Sequence, residues 1–169
     1  MRGVFVTAVA LLLAAAVPAR AEHFEIDITV KTPRGQAESH WDTTPPIGGV
    51  NPRPVAKAKV GDRIDIEWLM RSVYPHGTLK NVGVHFFVAR EGAVGQKTPP
   101  DLKSMPDVKS GKWLDSRLVM DFLPDHAARG SVQLTARAPG LYLIRVESDN
   151  TDSIQAHEHF SAIDLRVEP

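Results

Sequence analysis

The sequence predicts an all-β domain, a sandwich or a barrel, behind a secretory leader. Three observations predict it. Apolar and polar residues alternate at period two in successive stretches of the chain, the mark of half-buried strands. Gly, Pro, Asn and Asp fall between those stretches, where turns are needed. Beyond the leader, no stretch shows a capped 3.6-residue period.

The leader comes first. Met1-Arg2-Gly3 gives a short basic start, Val4 to Val17 is uncharged and apolar, and Ala19-Arg20-Ala21 offers small residues at the positions a signal peptidase reads. The run is shorter than the roughly 20 apolar residues that span a bilayer. The expectation is a signal peptide over 1–21 and one domain over 22–169, working in the periplasm or outside the cell and not spanning the membrane after cleavage.

The strands follow in order. Phe24, Ile26, Ile28 and Val30 alternate with Glu25, Asp27, Thr29 and Lys31. Ile64, Ile66 and Trp68 alternate with Asp65 and Glu67, and Val82, Val84, Phe86 and Val88 do so around His85 and Phe87. Leu114 to Phe122 forms a less regular strand. Val132, Leu134 and Ala136 lead into the Pro139-Gly140 turn, Tyr142, Ile144 and Val146 make the next strand, and Ile163, Leu165 and Val167 the last. That is about seven strands. Residues 32–56 and 92–112 are so rich in proline and glycine that they read as two long loops, since proline cannot serve a central sheet.

Composition narrows the function. Removing 21 of 169 residues leaves 148, one ordinary domain. The leader takes two of the 20 basic residues, so 18 face 20 acidic ones, and no basic stripe exists to meet nucleic acid. There is no cysteine. That excludes disulfides, cysteine nucleophiles, thiolate zinc sites, iron–sulfur clusters and a thiolate-ligated blue copper centre.

Two stretches carry a family resemblance. Val60-Gly61-Asp62-Arg63-Ile64 runs into a strand ending at Trp68 and followed by Pro75-His76-Gly77. Ala138-Pro139-Gly140-Leu141-Tyr142-Leu143-Ile144 is the second. Together they resemble secreted cupredoxin-like and bacterial immunoglobulin-like domains over about residues 56–168, and the C-terminal half resembles periplasmic domains associated with cobalt and nickel uptake. The resemblance implies an antiparallel sandwich in which Tyr142 pins a corner. A cupredoxin would carry a cysteine where this chain reads Glu147-Ser148-Asp149-Asn150, so a type 1 copper site is not implied. His76 lies near the first histidine of that family, but the role is not carried over.

Among polar constellations, His157-Glu158-His159 stands out. Residues two apart on a strand share a face, so both imidazoles project together and suit copper, nickel, cobalt or zinc. Their parity matches Ile163, Leu165 and Val167, which turns them toward the core unless a bulge near Ser161 reverses it. Two imidazoles fall short of the three or four ligands of a zinc site. His23 is a further candidate: it would be second in the mature chain, where an amino terminus and a nearby imidazole chelate Cu(II), and a first strand beside the last would bring it towards His157. His85 is the fourth, although in an immunoglobulin-like order one strand separates it from the last, roughly 10 Å at ~4.8 Å per strand. The bland alternative is that these histidines make ordinary hydrogen bonds.

Other chemistry has less behind it. Asp115, Asp121, Asp125 and His126 hint at hydrolysis, but there is no Gly-x-Ser-x-Gly and no His-Glu-x-x-His. Asp149, Asn150, Asp152 and Ser153 form an acidic turn of the kind that binds calcium weakly or merely faces solvent. Phe87, Leu141 and Leu143 share an outward face, and Trp41 sits in the first long loop; an exposed apolar strip there would meet a protein partner or a second copy, unless a loop covers it. The expectation is therefore a non-enzymatic secreted binding domain holding a transition metal through histidines, with a metal-free structural or protein-interaction sandwich as the alternative.

Overall fold

In a computed structural model, the described residues are 23–41, 53–92, 112–150 and 159–169, with only the backbone described at Trp41, Lys112, Asp149 and Asn150. The chain is all β. Nine strands run in order: β1 (Phe24–Thr32), β2 (Gly35–Trp41), β3 (Val55–Lys59), β4 (Arg63–Ser72), β5 (Leu79–Glu91), β6 (Lys112–Phe122), β7 (Ala127–Thr135), β8 (Gly140–Asn150) and β9 (Phe160–Glu168). They form a sandwich of two sheets, β2-β1-β4-β7 and β3-β9-β8-β5-β6. All pairings are antiparallel except β3 with β9, which is parallel.

All seven expected strands are present. The extra two correct the reading of 32–56 as one loop. Pro33 occupies the β1–β2 turn, and Gly35–Trp41 has no proline to stop it pairing with β1 from Ile26↔Trp41 to Thr32↔Gly35. It reads as a loop because β2 is an edge strand whose inward positions include only small Ala37 and Ser39 before Trp41. β3 begins at Val55, directly after Pro54. The rest of the two expected loops, 42–52 and 93–111, lies outside the described residues, as do the expected leader and His157.

The core is made by the alternation. Phe24, Ile26, Ile28 and Val30 of β1 and Ile64, Ile66 and Met70 of β4 face Val82, Val84, Phe86 and Val88 of β5 and Ile144, Val146, Ile163 and Leu165 of β8 and β9, all buried. Each large aliphatic or aromatic side chain so buried contributes about 1.5–3 kcal/mol of transfer free energy. Phe24 meets Phe122 edge to face at 5.0 Å. Two turns behave as their residues require. Gly61 at φ +94° takes the left-handed position of the β3–β4 turn, where Asp62 N–H donates to Lys59 O at 3.0 Å. After Pro139-Gly140, the Tyr142 hydroxyl donates to Ala138 O at 3.0 Å, pinning that corner as expected.

The two outer faces differ. That of β2-β1-β4-β7 is polar, with Asp27, Thr29, Glu67 and Arg129 among its residues. That of the five-stranded sheet is buried over β5, β8 and β9, where Phe87, Ala89, Leu143 and Ala162 form a second apolar cluster, with Phe160 packed on it. Among the described residues no helix is long and apolar enough to cross a membrane.

Candidate functional site

The β8–β9 register runs without a bulge from Gly140↔Val167 to Glu147↔Phe160. His159 therefore keeps the parity of Ile163 and Leu165, and its ring turns into the sandwich, buried. Ser148 N–H donates to its carbonyl at 2.9 Å, and its own N–H donates to Ser148 Oγ at 3.2 Å, which fixes the backbone on which the imidazole stands.

Across the sandwich, His23 enters β1. Its carbonyl accepts from Val73 N–H at 2.9 Å. Its own N–H donates to His159 Nε2 at 3.3 Å, so two residues 136 apart in sequence meet backbone to ring. The rings of His23 and His159 are 5.6 Å apart, near edge to face. Aromatic walls complete the end of the sandwich. Tyr74 lies 5.2 Å from the His23 ring, Phe24 6.0 Å from that of His159, and exposed His76 5.4 Å from Tyr74. His23 and His159 are both buried.

His23 thus reaches His159 by facing it across the core and not by the strand pairing expected to carry it towards His157, since β1 and β9 belong to different sheets. Among the described residues no group of three or more His, Cys, Asp or Glu side chains is arranged to hold a metal. The two rings alone are a partial donor set. What else the end supplies is nitrogen from the backbone: the amide of His23 already points at His159 Nε2.

His85 does not join them. Its strand lies where an immunoglobulin-like order puts it, with β8 between β5 and β9, but its ring leaves the opposite face of the sheet. There it is buried between two carboxylates, with Nδ1 2.8 Å from Glu147 Oε1 and Nε2 2.5 Å from Asp115 Oδ1. Arg145 continues the row, Nε 2.5 Å from Glu147 Oε2, with its guanidinium carbon 4.0 Å above the Phe160 ring. Both ring nitrogens are thus occupied by carboxylate partners. A metal would have to displace one of these partners. Glu147 and Arg145 have no place among the sequence candidates; the signal for them is charge at outward positions of a strand that is otherwise apolar on both faces.

The apolar strip also takes a different form. Phe87 and Leu143 do share the outward face, but both are fully buried, and Leu141 is half-buried, so this is a covered second core rather than an exposed strip. Trp41 ends β2 opposite Ile26. At the other end of the same face, Arg53 pairs with Glu91 and places Nε 2.6 Å from Asp164 Oδ1. Burial pushes the Glu91 carboxyl up to about 7, against the pull of Arg53 and helped by the charge of Asp164.

No family model and no curated protein matches the sequence. Solved structures do. A CARDB domain from Pyrococcus furiosus matches with 10% identity over 85% of this chain and 95% of that one, TM-score 0.44. The soluble domain of PmoD from Methylocystis sp. matches with 14% identity over 84% and 90%, TM-score 0.40. The catalytic domain of an LPMO from Listeria monocytogenes matches with 16% identity over 69% and 60%, TM-score 0.38.

Proposed function

We propose that this chain is a non-enzymatic binding domain that holds a transition-metal ion, best suited to Cu(II), at the end of the sandwich where His23 meets His159. The observation that carries the reading is the approach of His159 Nε2 to the His23 backbone nitrogen at 3.3 Å. If the leader is cleaved after Ala21, the chain begins Glu22-His23. Its amino group, the His23 amide nitrogen and the His23 ring then make a chelate of three nitrogens, and His159 supplies the fourth from across the core. Cu(II) favours such tetragonal nitrogen sets and stands highest in the divalent affinity order. His157, two residues from His159 along the chain, is the further donor of the same reading. With no cysteine in the chain, the role is capture or delivery rather than tuned electron transfer.

The test is calorimetric titration with Cu(II), Ni(II) and Zn(II) of protein processed at its own N-terminus, joined to electron paramagnetic resonance of the Cu(II) form. One-to-one binding with a nitrogen-rich tetragonal spectrum is expected, tightest for Cu(II). His159→Ala should weaken it by about tenfold or more, the worth of one lost ligand. The His23→Ala, His159→Ala double variant should leave only the affinity of scattered surface histidines. Stoichiometric binding that survives in the double variant would place the metal elsewhere and end this reading.

A further inference from the structure

The outer face of the four-stranded sheet holds a groove unconnected to the histidine pair. Register sets Asp27, Leu69 and Arg129 side by side on β1, β4 and β7, and Thr29, Glu67 and Ser131 in the adjoining row. With half-buried Trp68 and with Gly130 they line a groove of about 500 Å³, within the range of small-ligand sites. Gly130 is required there, because a methyl group on it would overlap the Trp68 ring.

The carboxylates around the groove are matched within the chain. Asp27 is bonded to His40, Glu67 to Lys31 at 3.3 Å, Glu25 to Arg71 at 3.1 Å, and Asp65 to Arg63 at 3.0 Å and Gln133 at 2.8 Å. The Arg129 guanidinium and the hydroxyls of Thr29 and Ser131 have no partner among the described residues. The groove thus offers donors from Arg129, oxygens with acceptor capacity left on Asp27 and Glu67, two hydroxyls that do either, and an apolar floor at Leu69.

That mixture selects a ligand class. An anion would meet Asp27 and Glu67, and a cation would meet Arg129. A neutral polyol meets neither penalty: its hydroxyls donate to the carboxylates and accept from the guanidinium, while a C–H face rests on Leu69. Three neighbouring strands span about 10 Å, the length of roughly two sugar rings. We propose that this groove binds a neutral saccharide of about two sugar units, held by Asp27, Glu67 and Arg129 across β1, β4 and β7.

The experiment titrates the purified protein with cellotetraose, maltotetraose, chitotetraose and xylotetraose, followed by calorimetry. At least one is expected to bind with Kd at or below about 1 mM. Arg129→Ala and Glu67→Gln should each weaken it by about tenfold or more, as loss of a hydrogen bond to a charged group does. Arg129→Lys, which keeps the charge, should retain part of the affinity, and His159→Ala should leave it unchanged. Circular dichroism checks that each variant is folded. Absence of binding for every sugar at about 10 mM, or binding that both groove variants leave intact, overturns the proposal.

Discussion

His85 is the residue whose environment most constrains its role. It lies buried on β5 with Glu147 of β8 on one ring nitrogen and Asp115 of β6 on the other, so it ties three adjacent strands through side chains as well as backbone. Removing the ring leaves Glu147 Oε1 without its partner while Arg145 still pairs Oε2, a loss of about 1–3 kcal/mol. His85→Ala should therefore lower stability by about that amount in a denaturant titration. Asp115, whose side chain is 46% exposed, is rehydrated when its bond is lost, so Asp115→Asn should cost about 1 kcal/mol or less. Equal losses in the two variants would show that the network is not graded by burial. The sequence marks His85 as out of step with Val84 and Phe86, but its partners depend on the β5–β8 register. A one-residue slip would turn Glu147 to the other face, and no local pattern sets that register. His159 was more legible, because its parity with Ile163 and Leu165 already turned it inward.

At the scale of elements, β6 is the strand with work left undone. It ends the five-stranded sheet, pairing with β5 alone among the described residues. It exposes Leu118 at 42% and Val119 at 64%, and Leu123 follows at 48%. Asp115, Arg117 and Asp121 on the face of Val119 blunt this edge with charge, the usual protection against strand addition. Val119→Lys should extend the protection: stability unchanged within about 0.5 kcal/mol, and less self-association in sedimentation at high concentration. A marked fall in unfolding temperature would mean that Val119 is part of a packed surface instead. The inner strands β1, β4, β5, β8 and β9 were readable because each has at least one regular apolar face. β2 was not, because an edge strand satisfies its pairing with backbone bonds to β1 and needs little from its side chains.

The sandwich has one wet face and one that is covered over β5, β8 and β9, and its pH response should come from the covered one. Glu91, at the end of β5, is buried beside Arg53 and Asp164. Burial raises its carboxyl from an ordinary 4.5 to about 7, with Arg53 opposing and Asp164 adding to the rise. A raised acid binds its proton more readily folded than unfolded, so between 4.5 and 7 the native state holds more protons, and stability falls as pH rises through that window. At one pK unit per ~1.4 kcal/mol, the whole effect is at most about 3.5 kcal/mol, absent below the lower value and complete above the upper. Asp65 works in the opposite sense but outside this window, because its hydrogen bonds from Gln133 and Arg63 hold its carboxyl below the ordinary 3.8. Histidines titrate in the same range, so the informative quantity is a difference. Glu91→Gln, an uncharged near-isostere, should gain stability relative to the parent chain as pH rises from 5 to 8, with the gain levelling off above 7. Thermal melts of the two proteins across that range check it. A difference that stays flat, or that grows toward acid, would mean that Arg53 compensates the Glu91 charge in full, and the covered face would then carry its ion cluster without a cost at neutral pH.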